Sequence, residues 1–592
     1  MLMQNPAPRL PNKDIQSLIQ VALGEKKADL AVVHATILNV YTGELLPDQG
    51  IGVSGQWIAC VGKNIDPAIG SETHVIDAAG KTVIPGLIDG HTHLAWTATA
   101  HEFLRYIMKG GTTTLVTESL EPYPVAGLAG VLDFLASLAD QPIKIFALAP
   151  AMVSISPEGR RMPMQDLIHL LELDSILGLG ETYWQALLQH TDLTISRLEA
   201  AVNAGKILEG HSAGAGEAKL NAYIASGITS CHEPIQPQEV LDRLRLGLHV
   251  MVREGSIRRD LKAISTLRLT GADLRRLILA TDGINPQDLM QSGYMETLVQ
   301  RAIDYGFEPV QAVQMATLNV AEHFRLDHIL GGIAPGRFAD FLIIPNIRTI
   351  RAEVVISNGK RIAADRELEV PPRRHRYADE SLASIHLDHP LQADDFAIKT
   401  EIKRPIATVR AIEMTTDLVT SEAVLQIAVT EGRIHADVGS DIIKIAAVDR
   451  TRHPGKTFTG LLKGFHLQSG AFASSAAWDT TDIIVIGTND RDMALAVNHI
   501  RSMQGGYAVV DGGGVIADLP MPVFGLIAEL PLEEIALRVS RIDSVLADRG
   551  VQFPDPMLSL ITLTGAAIPF LRICEQGLVS LKTGEMQNLF IS

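Results

Sequence analysis

The feature that most limits how this chain can fold is a repeated change of rhythm between Ile84 and Ile329. Eight short apolar runs, TVIPGLIDG, TTTLVTE, IKIFALAP, SILGLGE, GKILEGH, GITSCHE, LHVMVREG and LILATD, alternate with helical stretches such as VAGLAGVLDFLASLA. Eight strands alternating with helices over about 250 residues predict an α/β fold, a (β/α)₈ TIM-type barrel, with chemistry at the C-terminal ends of the strands. An open, doubly wound sheet is the alternative, because the sequence does not show closure.

The flanking segments have other rhythms. Residues 1–27 read as an N-terminal helical segment with Ile15, Leu18, Ile19 and Leu23 on one side. Residues 28–83 and 330–370 both show short strands broken by Gly and Asp. They are expected to join as a discontinuous small β-domain around the 84–329 barrel. Pro371, Pro372 and the basic run Arg373–Arg376 mark a linker, expected to be solvated. Residues 385–592 form an additional C-terminal α+β domain. There, DIIVIGTNDRDMALAVNHI reads as strand, turn and helix, and Gly512–Gly514 as the turn of a hairpin.

Composition excludes several functions. A formal net charge of −17 over 592 residues disfavours a grip on phosphate backbones, so no nucleic-acid partner is expected. The three cysteines, Cys60, Cys231 and Cys574, form no CxxC, which removes a thiolate zinc site and fits a reducing, cytoplasmic compartment. No apolar run reaches 18 residues and the first residues lack an apolar signal core, so no membrane partner is expected.

The chemistry starts at PGLIDGHTHL. His91 and His93, two apart on an extended chain, point to one side and can converge on one ion. Glu181, His211, His232 and Asp282 follow at later strand ends. Each has a plainer reading alone: Asp282 as a helix N-cap, His232 as a core histidine, Glu181 as a solvated carboxylate. Together they offer four imidazoles and two carboxylates, a donor set for Mn²⁺, Fe²⁺ or Zn²⁺. Such an ion lowers the pKa of water from about 15.7 to about 7 and so supplies hydroxide. A carboxylate bridging two ions would leave room for one shared hydroxide, and Asp282 could pass its proton to a leaving group. A competing motif, Gly210-His211-Ser212-Ala213-Gly214, has the GxSxG pattern of a serine nucleophile elbow, with Ser212 as nucleophile.

The chain resembles the bacterial-type adenine deaminases of the amidohydrolase superfamily over nearly its whole length. GEKKADLAVVHATILNVYTGE, PGLIDGHTHL, LNAYIASGITSCHE, the REGS tetrapeptide at Arg253–Ser256 and LLKGFHLQSGAFASS carry the likeness. The resemblance implies two divalent ions, Mn²⁺ foremost with Fe²⁺ or Zn²⁺ as alternatives, held by His91, His93, His211, His232 and Asp282. Glu181 would take the bridging role that a carboxylated lysine has in other amidohydrolases. It implies hydrolysis of adenine to hypoxanthine and ammonia, as in purine salvage, with a free purine base as partner. A homo-oligomer, a dimer, is the expected assembly. Asp282 and Glu233 are the candidate catalytic carboxylates, and Trp96, Glu121 and Trp478 the candidate substrate contacts. An indole can stack on a flat heterocycle, although buried packing is its commoner fate.

The sequence also departs from the family pattern. Leu94-Ala95-Trp96-Thr97 replace Ile-Glu-Ser-Ser after HxH, and Glu118-Ser119-Leu120-Glu121 replace Asp-Pro-His-Glu. Asp282-Gly283 stands for a paired Asp-Asp, and Trp478-Asp479-Thr480-Thr481-Asp482 for His-Asp-Ser-His-Asn. A related enzyme acting on another amino-heterocycle or cyclic amide is therefore the second expectation, and a non-catalytic relative the third.

Overall fold

The computed structural model describes residues 10–591 apart from 152, 153, 158, 160, 161, 190, 403 and 569. The start of the expected N-terminal segment, residues 1–9, lies outside the described residues. The eight predicted runs all contain strands: β1 (Leu87–Thr92), β2 (Thr112–Thr117), β3 (Lys144–Ala149), β4 (Ile176–Tyr183), β5 (Ile207–His211), β6 (Ser230–Cys231), β7 (His249–Arg253) and β8 (Leu277–Ala280). β1, β2, β4, β5 and β8 are buried along their whole length. This double-sided burial is why they read as apolar runs without alternation.

Pairing is parallel throughout, in a five-stranded sheet β5-β4-β3-β2-β1 and a three-stranded sheet β6-β7-β8. Strand order follows chain order with no reversal. A doubly wound sheet has a switch point, which this order lacks. One backbone hydrogen bond ties each remaining pair of neighbours: Thr229 N–H to Leu208 O at 2.9 Å, and Asp282 N–H to His91 O at 3.0 Å. Asp89, fully buried on β1, strengthens the second tie by accepting from the Thr281 and Tyr294 hydroxyls, each at 2.6 Å.

Before β1 and after β8 the chain builds a second sheet, of nine strands among the described residues. Thr82–Pro85 pairs antiparallel with Phe341–Ile344, Val83 opposite Ile343, so the chain leaves this sheet to make the parallel layer and then returns. The helix Asn12–Ala22 docks beside it, with Asp14 accepting the Trp57 indole N–H at 3.1 Å. Its buried side is Leu18 and Val21, while Ile15, Ile19 and Leu23 are 38%, 54% and 65% exposed. The expected apolar face was thus misplaced, because the docking partner rather than periodicity selects the side. The basic run is likewise not a solvated linker throughout. Arg373 donates to Ala136 O and Ala139 O, and His375 Nε2 lies 2.7 Å from Asp133 Oδ1, which ties the segment to the helix Pro122–Leu138.

The C-terminal region is mostly β, a correction to the α+β domain expected. Its core is a ten-stranded sheet among the described residues, flanked by the helices Asp490–Met503 and Leu532–Ala547. Asn489 caps the first of these, its side chain accepting the Asp492 N–H at 2.8 Å. The hairpin turn lies at Gly512 and Gly513, whose positive φ of 59° and 82° suits two glycines. This region closes over the ends of the parallel strands. Thr97–Ala98 pairs with Ile527–Ala528, and Ser154 and Ser156 donate to Asp479 O at 2.7 Å and Glu575 Oε1 at 2.6 Å. No helix among the described residues is long and apolar enough to cross a membrane.

Candidate active site

Where the parallel strands end, side chains from five of the eight converge. His91 closes β1 and His93 follows it; Glu181 lies near the end of β4 and His211 at the end of β5; His232 and Glu233 follow β6; Asp282 follows β8. All are buried or nearly so. Asp282 reaches the centre through a left-handed backbone, φ 60°, a conformation aspartate tolerates better than most residues.

Around Glu181 Oε1 stand His232 Nε2 at 3.1 Å, His91 Nε2 at 3.4 Å and His93 Nε2 at 3.7 Å. Asp282 Oδ1 lies 3.2 Å from His91 Nε2 and 3.6 Å from His93 Nε2. Glu233 Oε1 meets His211 Nε2 at 3.1 Å and His232 Nε2 at 3.0 Å. Two groups could therefore hold an ion among the described residues: His91, Glu181, His232 and Asp282, and His211, His232 and Glu233. His232 is common to both.

The donor chemistry fits divalent ions, and one atom tests that fit. His91 Nε2 is buried and makes no hydrogen bond of good geometry, although it points between two carboxylates. A nitrogen so placed suits a cation ligand better than a core histidine. His93 is oriented from behind, its Nδ1 2.6 Å from Glu121 Oε1, the carboxylate–imidazole pairing that fixes a metal-binding tautomer.

Protonation follows the same partners. Burial works against ionising Glu181, Asp282 and Glu233. The imidazoles around the first two, and Arg253 with His211 for Glu233, nevertheless hold all three well below the usual carboxylate range. Burial likewise pushes the His93 and His232 imidazoles down, but Glu121 for one and Glu181 with Glu233 for the other hold them well above the ordinary value. These are the protons that a bound cation displaces.

Three contributors escaped the sequence reading. Arg253, the last residue of β7, donates to Glu233 Oε1 at 2.9 Å and Asp282 Oδ2 at 3.3 Å, and sits 3.2 Å from Asp260 Oδ2. Its signal was available, since it ends a strand as the others do. The adjoining REGS glycine is there for space: a Cβ on Gly255 would meet Thr281 O at 2.1 Å. Glu118, just after β2, is fully buried, and burial with the nearby Glu181 charge pushes its carboxyl up to about 8. It fits because residue 180 is glycine; a Cβ there would meet Glu118 Oε2 at 2.1 Å. Asp479, from the C-terminal sheet region, is pushed up to about 7 by burial.

These groups surround a cavity of about 360 Å³, within the range of small-ligand sites. His93, Glu121, Glu181, His211, Glu233 and Asp282 line one wall, and Leu418, Trp478, Asp479 and Ile568 the other. Trp96 is not among the lining residues; it packs edge-on against Trp478, ring centroids 6.2 Å apart. The nucleophile-elbow reading of Ser212 is overturned. Its Oγ is fully buried, accepts from Arg243 Nε at 3.0 Å and contacts Cys231 Sγ at 2.7 Å, and no imidazole among the described residues is hydrogen-bonded to it.

Residues 82–362 match the amidohydrolase family, and residues 417–585 match the adenine deaminase C-terminal domain. Adenine deaminase of Moorella thermoacetica is 34% identical over 583 residues, covering 97% of this chain and 98% of that protein. The chain belongs to the adenine deaminase family. Family members of the same printed name from Cenarchaeum symbiosum, 33% identical over 96% of this chain and 94% of theirs, and Dehalococcoides mccartyi, 34% over 96% and 98%, span the same length. The family likeness thus covers both walls of the cavity.

Proposed function

We propose that this chain is an adenine deaminase, a hydrolase that converts adenine and water to hypoxanthine and ammonia. The observation that carries the reading is the imidazole–carboxylate cluster facing a cavity whose opposite wall comes from the adenine deaminase C-terminal domain.

His91, His93, Glu181, His211, His232 and Asp282 would hold two divalent ions. When bound, such ions acidify a water molecule and stabilise negative charge on the attacked ring. Oxygen and imidazole donors without thiolate favour Mn²⁺ or Fe²⁺, with Zn²⁺ also accommodated. Asp282 takes the proton from the attacking water and delivers it to the amino group as that leaves. Glu233 and Arg253 keep His211, His232 and Asp282 in place, and the C-terminal wall shields the ring from bulk water. Supporting one closed (β/α)₈ barrel are the hydrogen bonds that tie the five- and three-stranded sheets at both seams. The division into residues 28–83 with 330–370, 84–329 and 385–592 follows the sheets in the same way. The buried free thiols of Cys231 and Cys574 are consistent with a cytoplasmic setting.

The test is ammonia release from adenine by Mn²⁺-loaded protein, with metal content measured on the same sample. Deamination at roughly two ions per chain is expected. No release from adenine, with turnover of another amino-heterocycle, would reject the substrate and keep the chemistry.

A further inference from the structure

Most acceptors around the cavity already have donors. Glu239 Oε2 takes the Ile235 and Gln236 N–H groups, at 3.0 and 3.1 Å, and the cluster carboxylates face imidazoles and Arg253. Among the described residues lining the cavity, two buried side-chain oxygens have no hydrogen-bond partner: Glu121 Oε2 and Asp479 Oδ1. Glu121 comes from the strand ends and Asp479 from the C-terminal region. Glu121 is committed to His93 and belongs to the cluster side.

Asp479 comes from the C-terminal region and is 1% exposed. It is held on two sides: Oδ2 accepts the Ala566 N–H at 2.6 Å, and its main-chain oxygen accepts from Ser154 at 2.7 Å. That leaves Oδ1 as an acceptor in want of a donor on a residue that lines the cavity. Native structures keep few such atoms, and a ligand is one reason to keep one.

The ligand's own geometry says which donor it brings. On adenine the amino-bearing carbon must face the cluster. The imidazole-ring N–H lies across the bicycle from that carbon, and outside the cluster side Asp479 Oδ1 is the unpartnered acceptor on a cavity-lining residue, among the described residues. We propose that Asp479 is a specificity-determining residue: its carboxylate accepts the imidazole-ring N–H that a free purine base carries and a nucleoside lacks. This rests on the purine-base reading above. It explains how the same cavity would refuse a nucleoside, whose ring nitrogen brings a sugar to a carboxylate that needs a hydrogen.

The experiment uses metal-loaded, full-length protein and two probes that carry no amino group to hydrolyse, purine and 9-methylpurine. Their affinities are measured by calorimetry for the wild type, Asp479→Ala and Asp479→Asn, alongside KM and kcat for adenine. Asparagine keeps the volume and can still accept the Ala566 N–H, but it turns a donor toward the cavity, so it serves if alanine fails to fold. At pH 8.5, where the Asp479 carboxyl is ionised, the wild type should prefer purine by about 10- to 100-fold, the worth of a hydrogen bond to a charged group. Both variants should lose that preference by weakening for purine alone, and adenine KM should rise by a similar factor with less change in kcat. Equal loss for both probes, no loss for either, or a wild type without preference would overturn the proposal. If the wild type deaminates adenine and the variants match it, only this proposal fails. If the wild type neither binds purine nor deaminates adenine, the purine-base reading itself fails.

Discussion

At the strand ends, Glu181, Glu233 and Asp282 each meet imidazoles or Arg253, whereas Asp479 from the C-terminal region has a carboxyl that accepts from a single backbone N–H. All four carboxyls are deeply buried, yet the first three are held well below the usual range and Asp479 is pushed up to about 7. Glu118 repeats the contrast on the strand side. It lies next to Glu181 in space, with one backbone donor at 3.2 Å and the His91 Nδ1 no nearer than 3.9 Å, and burial with the Glu181 charge outweighs these and raises it to about 8. Burial is common to all five; partners decide the sign. The ionised set is a ready cation site, and the other two are carboxyls held in reserve by low solvation.

That contrast can be broken in three places. The largest effect should come from Asp282→Asn, which keeps shape and removes the proton acceptor. The kcat for ammonia release, measured at saturating Mn²⁺ and expressed per bound ion pair because Asp282 is itself a candidate ligand, should fall by about 10²–10⁴-fold with circular dichroism preserved. A residual rate near wild type would show that Asp282 carries no proton.

Next is Glu118→Gln, read through stability in metal-free protein. The folded pKa of Glu118, about 8, lies above its ordinary 4.5. Its contribution to stability is therefore complete below about 4.5 and is lost as pH rises through about 8. Urea midpoints of the wild type should fall across that window, and those of the variant should fall less. Parallel curves would mean that Glu118 ionises freely, and the contrast with Glu181 would disappear.

The smallest of the three is Glu121→Gln. Loss of the charge behind His93 should weaken metal affinity by about 10–100-fold, read by competition with a chelator, while adenine KM at saturating metal changes little. A large KM effect with unchanged metal affinity would move Glu121 from orienting His93 to contacting the substrate.

Much of the strand-end wall was legible in the chain. A parallel strand covered on both faces must be apolar to its end, so a His, Glu or Asp at that end stands out against the run before it. PGLIDGHTH, LGLGE, KILEGH and LILATD all show this. Arg253 obeys the same rule, closing the apolar run LHVMVR and opening the REGS tetrapeptide. Glu118 was harder: its burial depends on Gly180, on a strand two positions along the sheet, and no local pattern announces that. On the C-terminal wall, Trp478 stood out as a large aromatic residue, whereas Asp479 looked like any loop aspartate. The N-terminal helix failed for the opposite reason. Its apolar residues run around too much of the surface for periodicity to choose Leu18 and Val21 over Ile15 and Ile19.

By itself the sequence determined the alternation, and with it which side chains stand at strand ends, because strand burial and periodicity are local properties of the chain. It also determined the donor chemistry, since imidazole and carboxylate without paired thiolates can be read from composition. Only the tertiary structure decided which donors share an ion site, which carboxyls ionise, and that a loop almost 200 residues beyond β8 completes the cavity. Those outcomes depend on distances between residues far apart in the chain and on the solvent that packing excludes, and neither quantity is encoded in any single segment.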